Sequence, residues 1–320
     1  MKRVAVLRGG PSDEYDVSMK SGSAVIHALK NLDYDYKDIV ITKKGEWLES
    51  GFTKESQVAL EGIDVVFIAL HGQYGEDGQV QKILQRLNIP FTGSRSLPSA
   101  VAFNKELTKR TLKAHNIKLP RHRLMLREEM NALDSDISTI FSDIGNEVFV
   151  KPVASGSSLG ARYVPNEETL RVVLKDLFQV YDKVLIEQFI RGREATVGVL
   201  DNFREEQFYS LPVVEIVPPG GEPIFSNEIK YSGKAEEIVP GRFSYAEKTE
   251  LAEVAALVHQ VIDCSHYSRS DFIVRDGEIY FLEVNTLPGL TSESLFPKAA
   301  AAVGLEFPQL VQHLIETAQV

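Results

Sequence analysis

The chain has 320 residues, enough for two or three domains with cores of their own. A hydrophobic share of 43% and a charged share of 25% are those of an ordinary globular protein, and 35 basic against 45 acidic residues give a net charge of −10, which argues against a nucleic-acid or anionic-membrane partner. The one cysteine, Cys264, excludes an intrachain disulfide and any cysteine-based metal cluster. The longest apolar run, residues 65–70, is far short of the ~20 that a membrane-spanning helix needs. Met1-Lys2-Arg3 leads directly into a short apolar strand with no signal-peptide pattern, so the expected compartment is the cytoplasm.

Val4-Ala5-Val6-Leu7 reads as a buried strand and Arg8-Gly9-Gly10-Pro11-Ser12 as a tight turn. Val17, Ser21, Ala24, Val25 and Leu29 form the inner face of the helix that follows. Strand, glycine turn and helix open a Rossmann-like unit, but G-x-G-x-x-G is missing, which disfavours a dinucleotide site and with it an oxidoreductase. Strands at 37–41 and 65–70, and a shorter one at 91–93, alternate with a helix carrying Val80, Ile83, Leu84 and Leu87, a pattern that predicts a parallel sheet. Ligands of such sheets sit beyond the carboxyl ends of the strands, where Glu14 and His71 fall. Either residue alone is as well explained by a loop hydrogen bond, although the glycine-rich, polar loop after His71 is unlike core. Asn104 caps a helix through Lys105, Leu107, Leu112 and Ala114 that breaks at residues 116–120, and the first domain boundary is expected near 99–104.

Val148-Phe149-Val150-Lys151-Pro152 is a strand ending in a lysine, followed by Ala154-Ser155-Gly156-Ser157-Ser158-Leu159-Gly160. Small residues let backbone N–H groups and hydroxyls approach phosphate oxygens, and Lys151 adds a point charge. The spacing is not that of a P-loop. A flexible hairpin tip is the alternative, and the lysine at the strand end favours the anion site. Asn166 starts a helix over 167–180 with Glu167 and Glu168 in its first turn. The strand at 184–190 turns polar at its end, with Glu187 there and Glu194 soon after. Residues 206–214 are strand-like and 215–223 a Pro/Gly-rich connection. The polar stretch 232–242 is too long for a tight turn and reads as a lid or a disordered loop. Leu251, Val254, Ala255, Val258, Val261 and Ile262 face inward on a helix over 245–264, and Phe307, Leu310, Val311, Leu314 and Ile315 do so on the last helix, after Pro308 near its start.

Residues 269–295 carry charge where a buried hairpin should not. Asp276-Gly277 is the turn signal between two β-branched and aromatic runs. Alternation puts Arg269 with Asp271, and Glu283 with Asn285, on one face of their strands. A two-residue turn pairs Val274 with Ile279 and sets Asp271 opposite Leu282. A three-residue loop with Gly277 at a bulge position pairs Val274 with Glu278 and alone brings all four polar residues to one face. Two carboxylates and an amide would then converge as hard oxygen ligands suited to Mg²⁺ shared with phosphates.

Arg269-x-Asp271 followed by Glu283-Val284-Asn285-Thr286-Leu287-Pro288-Gly289-Leu290-Thr291-x-x-Ser294-Leu295 resembles the metal and acceptor site of the D-alanine–D-alanine ligases, which are ATP-grasp enzymes. G-G-x-S-x-E-x-x-V-S at 9–18 and A-L-H-G-x-x-G-E-D-G at 69–78 resemble that family's first D-alanine site, so the similarity spans nearly the whole chain. The resemblance implies an α/β ATP-grasp fold of three α/β domains. These are a Rossmann-like N-terminal domain over 1–104 with the first D-alanine site, a central subdomain over 105–190, and a C-terminal domain over 191–320 with the metal and acceptor site. ATP is expected between the last two.

It further implies that Lys105, Lys151 and Lys230 neutralise phosphate, that the loop with Ser157 and Ser158 closes over the β- and γ-phosphates, that Glu187, Gln188, Phe189 and Ile190 meet adenine, and that Glu194 meets ribose. Asp271, Glu283 and Asn285 would hold Mg²⁺ or Mn²⁺, two ions in all. Arg269 and the Gly289 N–H would stabilise the oxyanion, His71 and Glu14 would serve the first D-alanine, and Ser294 and Leu295 would hold the second carboxylate. Glu14, Ser157 and Tyr231 would tie down a lid formed by 232–242. The implied reaction joins two D-alanines through an acyl phosphate for peptidoglycan precursor synthesis, in a homodimer. Asn104 stands where the family often has Asp, and Ser270 and residues 265–267 also depart from its pattern. A different ATP-grasp ligase, joining another amino acid or a hydroxy acid, stays open, as does a nucleotide-binding regulator, although such a regulator would be expected to have lost a metal carboxylate.

Overall fold

The computed structural model describes residues 2–156, 159–219 and 235–320; the side chains at 134–136 also lie outside it. Three sheets follow one another along the chain. The first is built from β1 (Arg3–Gly9), β2 (Asp35–Ile41), β3 (Trp47–Glu49), β4 (Phe52–Lys54) and β5 (Val65–Ile68), in the order β4-β3-β2-β1-β5. β1 is parallel to both β2 and β5, as the alternation of strands and helices predicts. β3 and β4 run antiparallel, because the short link closed by Thr42 N–H donating to Glu46 O can only reverse the chain. The strand expected at 91–93 is reduced to isolated bridges from Phe91, parallel to Val66 and antiparallel to Gln319.

Helix α1 (Tyr15–Asn31) buries Ser18, Ser21, Gly22, Val25, Ala28 and Leu29. Two of its expected core residues, Val17 and Ala24, instead line a cavity. The turn before α1 requires glycine: Gly9 has φ +89°, and a Cβ there would collide with the carbonyl of Ile41. The last helix (Phe307–Thr317) packs on α1 and buries Leu310, Val311, Leu314 and Ile315 in the core of the first sheet.

The second sheet is antiparallel, ordered β6-β9-β7-β8, from β6 (His122–Leu126), β7 (Val148–Pro152), β8 (Arg162–Val164) and β9 (Lys183–Gln188). Its helix at Leu133–Ile144 buries Ile137, Ile140 and Ile144, a helical spacing that a motif reading passes over. Asn104 and Asn166 cap their helices by accepting from the N–H of Leu107 and Thr169.

The third sheet comprises β10 (Arg193–Phe203), β11 (Glu206–Ser210), β12 (Val214–Val217), β13 (Glu236–Ile238), β14 (Tyr267–Arg275) and β15 (Glu278–Asn285). Its order is β13-β12-β10-β14-β15, with β11 also on β10. The strand expected over 206–214 is therefore two. Leu211 still donates to Gly198 O, but Pro212 has no N–H to continue the ladder. Glu215, expected in a Pro/Gly-rich connection, lies inside β12. Part of the polar stretch expected to be a lid, Glu236–Ile238, is a strand paired with β12.

Candidate active site

The β14–β15 hairpin closes through two residues. Asp276 and Gly277 both have positive φ, +52° and +78°, the geometry of a type I′ turn, and Val274 pairs with Ile279. The three-residue loop is thus not used. A shift between Phe272 and Asp271 makes Leu282 an extra residue in the ladder, so that Asp271 stands opposite Glu283 and Arg269 opposite Asn285. A bulge achieves what the turn does not: the four polar residues share a face.

Their charges are matched. Arg269 Nε and Nη2 donate to the two oxygens of Asp271, both at 2.9 Å, and Thr196 Oγ1, directly across β10, donates to Asp271 Oδ1 at 2.6 Å. Burial alone would lower the pKa of Arg269, but the Asp271 carboxylate holds it above its ordinary value. Glu283 Oε2 lies 3.2 Å from Lys105 Nζ, which also donates to the carbonyl of Ser155 at 2.9 Å. Asn285 Oδ1 accepts from Leu287 N–H and shapes the loop after β15. Two carboxylates and an amide oxygen on one face form a hard-oxygen donor set that fits Mg²⁺, with Arg269 and Lys105 balancing the carboxylates.

Glu187, at the end of β9, is buried between two lysines: Lys109 Nζ is 2.8 Å from one carboxylate oxygen and Lys151 Nζ 2.8 Å from the other. Burial alone would push the Glu187 carboxyl up, but the two ammonium charges and their hydrogen bonds reverse this and hold it at about 2. Lys151 is held above its usual range by Glu187 despite burial, whereas Lys109 is depressed because burial dominates.

Two cavities meet here. One, of about 730 Å³, is lined by Glu14, His71, Arg269, Gly289, Ser294 and Leu295 among others. The second, of about 480 Å³, is lined by Lys151, Glu187, Gln188, Phe189, Ile190, Glu194 and Asp271 among others. Lys105, Ser155 and Glu283 belong to both walls. His71 is buried, with Nε2 2.8 Å from Ser21 Oγ and Nδ1 3.2 Å from the carbonyl of Leu287, so it links the first sheet to the loop after β15. Burial lowers its pKa, but Glu76 more than offsets this and the net shift is upward. Ser294 Oγ lies 2.8 Å from Thr291 Oγ1. Ser157, Ser158, Lys230 and Tyr231 lie outside the described residues.

The family described as D-ala D-ala ligase C-terminus matches residues 111–316, and D-ala D-ala ligase N-terminus matches 3–61 and 49–94. The chain belongs to the D-alanine–D-alanine ligase family. It is 38% identical over 315 residues to the D-alanine–D-alanine ligase of Syntrophotalea carbinolica, covering 98% of this chain and 95% of that one. It is also 38% identical to that of Desulforudis audaxviator, covering 100% and 99%. Among solved structures, the VanG D-Ala:D-Ser ligase from Enterococcus faecalis superposes with a TM-score of 0.84 at 29% identity, covering 99% of each chain. The Bacillus anthracis D-alanine–D-alanine ligase complexed with ATP does so with 0.79 at 30%, covering 99% and 96%. The fold is accordingly that of the ATP-grasp ligases, α/β with three sheets.

In this ligase-family chain the structure adds residues that motif reading passed over. Lys109 is one helical turn beyond Lys105, a spacing that was available as a signal. Thr196 has no local signal. Glu215 lines the second cavity, and its carboxylate is held at about 2: burial opposes this, and hydrogen bonds from Arg242 and Arg193 overcome it.

Proposed function

We propose that this chain joins two molecules of D-alanine into D-alanyl-D-alanine with ATP as the energy source. The observation that supports this reading is the shared wall of the two cavities, Lys105, Ser155 and Glu283, across which a nucleotide bound in one would present its phosphates to a carboxylate bound in the other. The adenine end would lie along Glu187–Ile190 and the ribose near Glu194. A carboxylate oxygen of the first D-alanine attacks the γ-phosphorus and ADP leaves, giving an acyl phosphate. The amine of the second D-alanine, having given up its proton, then attacks the acyl carbon, and inorganic phosphate leaves.

Lys105 and Lys151 lower the repulsion between carboxylate and triphosphate, so the protein's work is positioning and electrostatics. Asp271, Glu283 and Asn285 would hold a divalent ion, Mg²⁺ or Mn²⁺, which supplies charge neutralisation at the phosphates. Arg269 lines the first cavity while Asp271 lines the second, so their ion pair spans the junction of the two, where the reaction proposed here would take place. Glu14 would take the first amine, and Ser294 and Leu295 the second carboxylate. Among the described residues no helix is long and apolar enough to cross a membrane.

The test mixes purified protein, ATP, Mg²⁺ and D-alanine, alone and with D-serine or D-lactate, and follows phosphate release and product mass. D-Alanyl-D-alanine as the main product is expected. Phosphate release without dipeptide, or a mainly ester product, would overturn the assignment.

A further inference from the structure

We infer that Lys109, which lines neither cavity, sets the positive charge at the phosphate end of the site by occupying one oxygen of Glu187. The inference rests on the function proposed above. Lys105 and Lys109 are four residues apart on the helix Lys105–Leu112 and so share a face. Lys105 reaches the cavity wall, whereas the side chain of Lys109 has no solvent exposure and its ammonium cannot touch a ligand.

The geometry divides Glu187 evenly: Oε1 lies 2.8 Å from Lys109 Nζ, and Oε2 lies 2.8 Å from Lys151 Nζ. Lys151 lines the nucleotide cavity, and sharing its counter-ion leaves it with charge and donors to offer. Across the cavity Lys105 is opposed by Glu283. Asp271, which also acts on Lys151, is balanced by Arg269, so that around Glu187 and Glu283 three ammonium groups face two carboxylates, a local surplus of one positive charge. Without Lys109 the surplus is zero, and Glu187 can turn its whole charge onto Lys151. The attraction for a triphosphate then falls by more than that for adenosine, which carries no charge for Lys151 to attract. Lys109 is in these terms a positioning residue for Lys151, acting through Glu187.

The test is calorimetric binding of ATP and of adenosine to the full chain, to Lys109→Met and to Lys109→Met/Glu187→Gln. Methionine keeps much of the buried volume of lysine, and the double variant restores a surplus of one positive charge. For Lys109→Met, ATP affinity is expected to fall on the order of tenfold with adenosine affinity little changed. In the double variant the ratio of ATP to adenosine affinity is expected to return to that of the parent. If Lys109→Met does not fold, the ratio in the double variant decides alone. Equal weakening of both ligands in Lys109→Met, or a double variant with a depressed ratio, would overturn the inference and leave Lys109 a packing residue. A parent protein that binds no ATP would overturn the proposed function itself.

Discussion

Asp271 stands opposite Glu283 because Leu282 is an extra residue in the β14–β15 ladder. The type I′ turn at Asp276-Gly277 would otherwise set Asp271 against Leu282 and send the two carboxylates to opposite faces. Glu283→Gln keeps the shape of this pair but removes the charge that opposes Lys105. The rate of ATP turnover is expected to fall by more than the ~10–100-fold seen when partners outside the ligand shell are changed, with a higher magnesium requirement. Initial rates against magnesium concentration measure this. A variant with the parent's rate and magnesium curve would show that Glu283 holds no metal.

Gly156 tests the junction between the phosphate loop and the first cavity. A methyl group there would overlap Glu14 Oε2, so Gly156→Ala must displace the Glu14 carboxylate. The KM for D-alanine is expected to rise several-fold, with the KM for ATP nearly unchanged. Steady-state kinetics in each substrate separate the two, and a shift confined to ATP would refute the role given to Glu14.

The polar face of the hairpin could be read from residue alternation, and the type I′ turn from Asp276-Gly277. The bulge could not, because it depends on Phe281 burying against Phe272 while Glu283 stays at the cavity, a contest between distant contacts. Glu215 was hidden for a related reason. The prolines and glycines after it dominate local composition, yet its place in β12 is decided by pairing with β10 and by Arg193 and Arg242, 22 and 27 residues away. Val17 and Ala24 have the period of a core face, and period alone does not distinguish a core from a cavity wall. The motifs at Glu14, His71 and Ser294, by contrast, lie together on one cavity.

Glu187 gives a pH signature. Its folded-state carboxyl is held at about 2, below the ordinary 4.5. The ionised group therefore stabilises the fold at pH values above about 4.5, and that contribution is lost as pH falls toward 2. The linkage is on the order of 3 kcal/mol. Glu187→Gln is expected to be less stable than the parent at neutral pH, with the gap narrowing below pH 4.5. Urea unfolding of both proteins at several pH values checks this, and a gap independent of pH would contradict it.

Burial pushes the Cys264 thiol up to about 12, so little nucleophilic thiolate exists at neutral pH. Iodoacetamide is expected to label the native protein slowly and the urea-unfolded protein fast. Rapid native labelling would show that the Cys264 region opens readily.

Lys298 lines the first cavity one helical turn after Ser294, with its ammonium 2.9 Å from Glu237 and 3.2 Å from Glu293. Burial would lower its pKa, but Glu237 and Glu293 hold it above its ordinary value, so it is charged at neutral pH. Glu237 lies on β13, and the pair thus ties the edge of the third sheet to the helix Leu295–Ala301. If the second D-alanine rests its carboxylate near Ser294, Lys298 and that carboxylate attract, and Glu237 competes. Glu237→Gln removes the competitor and is expected to lower the KM for D-alanine, while Lys298→Met is expected to raise it, both with kcat nearly unchanged. A third of the Lys298 side chain is exposed, so each effect should stay within about 1 kcal/mol, or roughly fivefold. Initial rates against D-alanine at saturating ATP measure the split. Shifts of the same sign in both variants would show that the charge of Lys298 does not act on the acceptor.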